Sequence, residues 1–131
     1  MSIQLKIIRA TDFLIAAAQG QLDFENSKQL IETLASATNS CPGQTILLDL
    51  RNANSGLSSF DLWKLAAELK QSSGDIPGKI AVVCRINSSS QAAFFALCAQ
   101  NRGILVNAFV SFEDAVQWLT TNEQRPLERT I

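Results

Sequence analysis

Three stretches, "TILLDL", "KIAVVCRI" and "LVNAFV", are almost continuously apolar, whereas apolar residues elsewhere recur at alternating or helical spacing. Continuous runs are expected of strands whose two faces are both covered in a parallel sheet. Near the start, Ile3, Leu5 and Ile7 alternate with polar residues, which predicts a strand over 3–9. A second strand follows over 13–18, with Ala10–Asp12 as the turn and Gly20 ending the hairpin. Asp23 then caps a helix to about Thr38, with Ser27, Leu30, Ile31, Leu34 and Ala35 on one face. "NSCPG" stops it.

A second helix is predicted over 59–72, with Leu62, Leu65, Ala66 and Leu69 as its apolar stripe and Gly74 at its close. "SSSQAAFFALCAQNRG" reads as a third helix, with Gly103 after its end. Ser111, with Asp114 three residues on, opens a last helix through about Thr121. The resulting order is ββαβαβαβα. Helical crossovers make the later strands parallel and their connections right-handed, while the first two strands pair antiparallel. The expectation is one small α/β domain over residues 1–122, a mixed, mostly parallel five-stranded sheet with four helices. A polar, frayed tail follows over 123–131.

Composition narrows the function classes. The chain has 131 residues, 47% apolar and 18% charged, which suits one globular domain with a real core. Net charge is −1 with both signs interspersed, so no basic stripe suggests a nucleic-acid partner. Histidine is absent, which removes Ser-His-Asp and Cys-His catalysis and His-containing zinc sites. Cys41, Cys84 and Cys98 form no CxxC, and the latter two lie in apolar runs, as reduced core residues of a cytoplasmic protein do. Lys6 and Arg9 before "FLIAAA" faintly mimic a secretory signal, but Asp12 interrupts it and the apolar run is short. No run is long enough to span a membrane. The sequence implies no catalytic residues, no metal site and no cofactor.

The candidate chemistry centres on "LLDLRNANSGLSSFDLW", a strand, a polar loop and a helix start. Ser58 suits the N-cap, Asp61 the N3 acid of a capping box, and Leu57 with Leu62 a hydrophobic staple. Two arginines, Arg51 and Arg85, each sit at a strand end before a serine-rich helix start, Ser58–Ser59 and Ser88–Ser90. On parallel neighbours these would share one sheet edge, a candidate anion site using Arg51, Arg85, Ser88 and Ser89; the alternative is two solvated strand ends. "NANSG" lacks the Gly-Lys-Ser/Thr of a phosphate-binding loop. Asp49 is a lone carboxylate on an apolar strand. Phe94 and Phe95, with Leu97 and Cys98, line either a pocket or, by their helical spacing, the core. Trp63 and Trp118 are candidate contacts with a partner or a second copy.

These residues carry a family resemblance that spans nearly the whole chain. Gly20, Leu22 and Asp23 in "AQGQLD" resemble the Gly-x-Leu-Asp entry into the first helix of STAS-like domains, the anti-sigma-factor antagonist fold. Asp49 and Leu50 resemble the family's Asp-Leu at the end of the central strand. "NRGILVNAFVSFEDAVQWL" is similar to a branch of uncharacterised bacterial proteins with this fold. Phosphorylation-switched members carry Asp-Ser-Ser-Gly-Leu at the second helix, and its first serine is the phosphoacceptor. An ungapped alignment puts that serine on Ser58, with Leu57 in place of the aspartate and Phe60 in place of the glycine. The resemblance implies a non-catalytic regulatory or protein-interaction module of the bacterial cytoplasm. It would act around the second helix, with Ser55, Ser58 and Ser59 as the phosphoacceptor or partner loop, on a protein partner or in a homodimer. The alternative is a binder of an anionic or lipid-like small molecule at the strand-end edge.

Overall fold

The computed structural model describes residues 4–9, 13–39, 45–73 and 78–121. The predicted turn at 10–12, "NSCPG" beyond Asn39, Cys41, Gly74 and the tail over 123–131 lie outside these residues. The elements run β1 (Gln4–Arg9), β2 (Leu14–Leu22), α1 (Phe24–Asn39), β3 (Ile46–Ser55), α2 (Ser59–Ser73), β4 (Ile80–Val83), α3 (Ser89–Gln100), β5 (Val106–Phe109) and α4 (Phe112–Thr120). A single turn of 3-10 helix, Ile86–Ser88, precedes α3. The predicted order and the single mixed sheet are both present.

Strand order follows chain order, β1-β2-β3-β4-β5, with β1 antiparallel to β2 and every later pair parallel. With right-handed crossovers, a sheet that grows in one direction puts all its crossover helices on one face. α1 packs on α2 and α2 on α3 accordingly, while α4, after the last strand, folds back against β3, β4 and β5. Two apolar clusters result. The larger gathers Leu30, Leu34, Leu48, Leu65, Leu69 and Val82 under α1–α3. The smaller gathers Leu47, Ala81, Val83, Ala115 and Leu119 under α4. The helical stripes read from the sequence are buried as expected, but Leu50, the last residue of the run "TILLDL" expected to be covered on both faces, is only partly buried.

The structure corrects the ends of three strands. β2 and β3 run on together past Ala18 and Leu50 to Leu22 and Ser55. The register slips between Ala17↔Asp49 and Gln19↔Asn52, so β3 carries one extra residue there. Gly20, beyond the slip, has φ +122°, a conformation that favours glycine. "RNANS" looked like a loop because of its polar composition. A backbone ladder needs no apolar side chains, however, and Ala53 is buried while Asn52 and Asn54 face out. The other correction shortens β4. Cys84 still donates its N–H to Phe109 O at 2.9 Å, but Arg85 leaves the sheet and Ile86, 79% exposed, starts the 3-10 turn.

Candidate functional site

The start of α2 is built as its residues predict. Ser58 Oγ accepts the Asp61 N–H at 3.1 Å, and Asp61 Oδ2 accepts the Ser58 N–H at 3.1 Å. This reciprocal pair satisfies two of the donors a helix start leaves open. Leu57 and Leu62 are both buried beneath it. Gln91 Nε2 of α3 donates to Leu57 O at 3.2 Å and ties the two helix starts together. Ser58 and Ser59 are exposed. Ser55 ends β3 opposite Leu22, and its Oγ accepts the Leu57 N–H at 3.4 Å.

The arginines are held by acceptors of their own domain. Arg51 Nε and Nη2 donate to Asp49 Oδ1 and Oδ2 at 2.9 and 2.8 Å, a two-pronged ion pair. That bonding holds the Asp49 carboxyl below its ordinary value despite partial burial. Arg51 also lies 5.2 Å over the Phe112 ring at the start of α4. Arg85 Nη2 donates to Ala53 O at 2.9 Å and to Asn54 Oδ1 at 2.8 Å, pinning the far end of β3. Ser89 Oγ donates to Ile86 O at 2.8 Å within the 3-10 turn, and Ser88 makes no side-chain cap to α3.

On the outer side of α2, Phe60 and Trp63 are 64% and 48% exposed and stack with ring centroids 6.1 Å apart. Lys64 Nζ lies 5.3 Å over Phe60, and Arg102, at the end of α3, lies 5.2 Å over Trp63. Phe94 and Leu97 are also exposed on α3. Trp118 behaves differently: it is half-buried, tilted against Phe109 at 5.7 Å. Cys84 and Cys98 are free and buried; burial pushes the Cys84 thiol pKa up. Trp63 is marked in the sequence as a candidate contact, whereas Phe60, which stands at the glycine position of the phospho-motif, carries no such mark. Lys79, likewise unmarked, is buried and donates from Nζ to Trp118 O at 2.8 Å and Thr121 O at 3.1 Å. No helix among the described residues is long and apolar enough to cross a membrane.

No protein-family profile matches this sequence, and no curated protein does. Solved structures do match. An anti-sigma factor antagonist from Mycobacterium paratuberculosis superimposes with a TM-score of 0.65 at 18% identity, over 92% of this chain and 96% of that one. An uncharacterised protein of the DUF3478 family from Shewanella loihica PV-4, described as having a SpoIIAA-like fold, gives 0.59 at 22% identity, over 90% and 94%. The anti-sigma factor antagonist SpoIIAA in its unphosphorylated form gives 0.50 at 14% identity, over 89% and 96%. With the strand order and helix placement above, these matches show that the described residues adopt the SpoIIAA-like α/β fold of these structures.

Proposed function

We propose that this chain is a non-catalytic, cytoplasmic protein-interaction module that docks a protein partner on the outer face of α2 and the adjoining end of α3. The observation that carries this reading is the exposed Phe60–Trp63 stack, rimmed by Lys64 and Arg102. Exposed aromatics beside an arginine are the composition of an interface hot spot. Arg51 and Arg85 already hold Asp49, Ala53 and Asn54, which weighs toward docking and away from an anion site built with Ser88 and Ser89.

Ser58, at the edge of the same helix, is the candidate point of regulation, with Ser55 and Ser59 beside it. A phosphate on Ser58 would gain from the helix N-terminus but meet the Asp61 carboxylate, already bonded to the Ser58 N–H. Negative charge there changes the surface next to Phe60 without touching the core.

Quantitative affinity purification from the native host tests the reading. Phe60→Ala/Trp63→Ala should keep the wild-type unfolding midpoint and lose at least one partner. Sedimentation velocity shows whether that partner is a second copy. A partner set identical to wild type would refute docking at α2; one unchanged by Ser58→Asp would remove the regulatory role.

A further inference from the structure

Beneath α1, α2 and α3, at the ends of β3 and β4, lies a cavity of about 90 Å3. Its wall is formed by side chains such as Leu30, Leu48, Leu65 and Val82, and includes Ser27. Ser27 is only 6% exposed, and its Oγ is the one buried side-chain polar atom among the described residues without a hydrogen-bond partner. Helical hydroxyls normally donate to the carbonyl four residues back. Thr33 does so to Gln29 O and Thr120 to Val116 O, each at 2.9 Å. Ser27 makes no such bond and contributes to the cavity wall instead.

We propose that this cavity binds a small uncharged amphiphile, whose apolar tail fills the space between sheet and helices and whose hydroxyl or carbonyl hydrogen-bonds Ser27 Oγ. Size follows from volume. An apolar cavity of about 150 Å3 accepts benzene, so about 90 Å3 takes a tail of about four carbons. Charge follows from the wall, which contains no lysine, arginine, aspartate or glutamate. A buried carboxylate or ammonium there would have no counter-charge. Access follows from the half-buried wall members Ser55, Ser88 and Gln91, where the cavity approaches the surface. The site is separate from the Phe60–Trp63 surface and does not depend on the docking reading.

Methyl-resolved NMR titration of the full chain provides the test, with xenon, 1-butanol, butyrate and butylammonium as probes. Wild type should bind xenon and 1-butanol saturably, with shifts concentrated on Leu30, Leu48, Leu65 and Val82. Butyrate and butylammonium should bind at least tenfold more weakly than the alcohol. Ser27→Ala should fold, bind xenon as before and bind 1-butanol about fivefold more weakly, the loss of one hydrogen bond. Absence of saturable shifts with both neutral probes would overturn the site. Equal 1-butanol affinity in wild type and Ser27→Ala would overturn the anchor, and tighter binding of either ion would overturn the assigned ligand class.

Discussion

The two faces of the sheet differ in interior space. Under α4, Leu47 has no exposed surface and its neighbours Ala81, Val83 and Ala115 are equally sealed. One residue along β3, on the three-helix face, Leu48 retains 8% exposure and borders a cavity that also holds an unsatisfied hydroxyl. Three helices cover that face, against one on the other, and it seals Leu14, Ala16, Ala66 and Val106 completely, yet the cavity lies beneath the three helices. Helices packed side by side on a twisted sheet must match one another as well as the strands beneath, so the space between their starts is harder to fill. The three-helix face carries the larger core together with interior space and the exposed aromatics, and the α4 face carries a smaller cluster without that space.

The largest effect expected from this contrast is on core leucines. Leu47→Ala should cost about 4–5 kcal/mol, because a fully enclosed site loses every contact. Leu48→Ala should cost about 3 kcal/mol, since a side chain bordering a void has fewer contacts to lose. Urea unfolding midpoints compare them directly, and equal costs would erase the distinction.

Enlarging alanines should separate the faces by sign as well as size. Ala81→Val, on the α4 face, should destabilise by about 2 kcal/mol through overpacking. Ala53→Val, bordering the cavity, should be near neutral or stabilising, because the added methyls have space and valine suits a strand. A loss of similar size at both positions would show that the cavity cannot accept atoms.

At the helix start the effect is smaller. Ser58→Ala should cost about 1 kcal/mol by removing the acceptor for the Asp61 N–H, while Ser58→Asp should keep most of the stability, since aspartate also caps. Thermal unfolding of both variants checks the cap independently of any partner.

The smallest expected effect is electrostatic. The Asp49 carboxyl titrates below its ordinary value of 3.8 because of Arg51, so its contribution is fully present above that value. It is lost as pH falls through the lower value in the folded protein. Asp49→Asn should therefore flatten the fall in stability below about pH 4 and change little near neutrality. Arg51 is 44% exposed, so solvent and salt limit the gain.

Much of this architecture was legible in the sequence because it rests on local patterns. Continuous apolar runs marked β3, β4 and β5, helical stripes marked α1 and α2, and Ser58–Asp61 and Ser111–Asp114 marked two helix starts. Asp23 accepts the Asn26 N–H at 2.8 Å and Ser111 accepts the Asp114 N–H at 3.2 Å, as their spacing predicted. What stayed hidden depends on partners distant in sequence. The extension of β3 through "RNANS" exists because β2 continues beside it past the bulge. Lys79 opens the run "KIAVVCRI" as its one cation before Arg85, and its burial serves the carbonyls at the end of α4, some forty residues away. Ser27 fell correctly on the buried face of α1, yet periodicity cannot report that its hydroxyl lacks a partner. The cavity is a gap between three helices and a sheet, which no single segment encodes.

Site-specific photo-crosslinking in the native host compares the outer surfaces of the two faces most directly. A photoreactive residue is placed at position 60 on α2 or at position 113 on α4, both exposed in the folded chain. A discrete covalent adduct is expected from position 60, with a protein partner or a second copy, and none from position 113. Adducts from position 113 alone, or the same adducts from both, would contradict docking at α2.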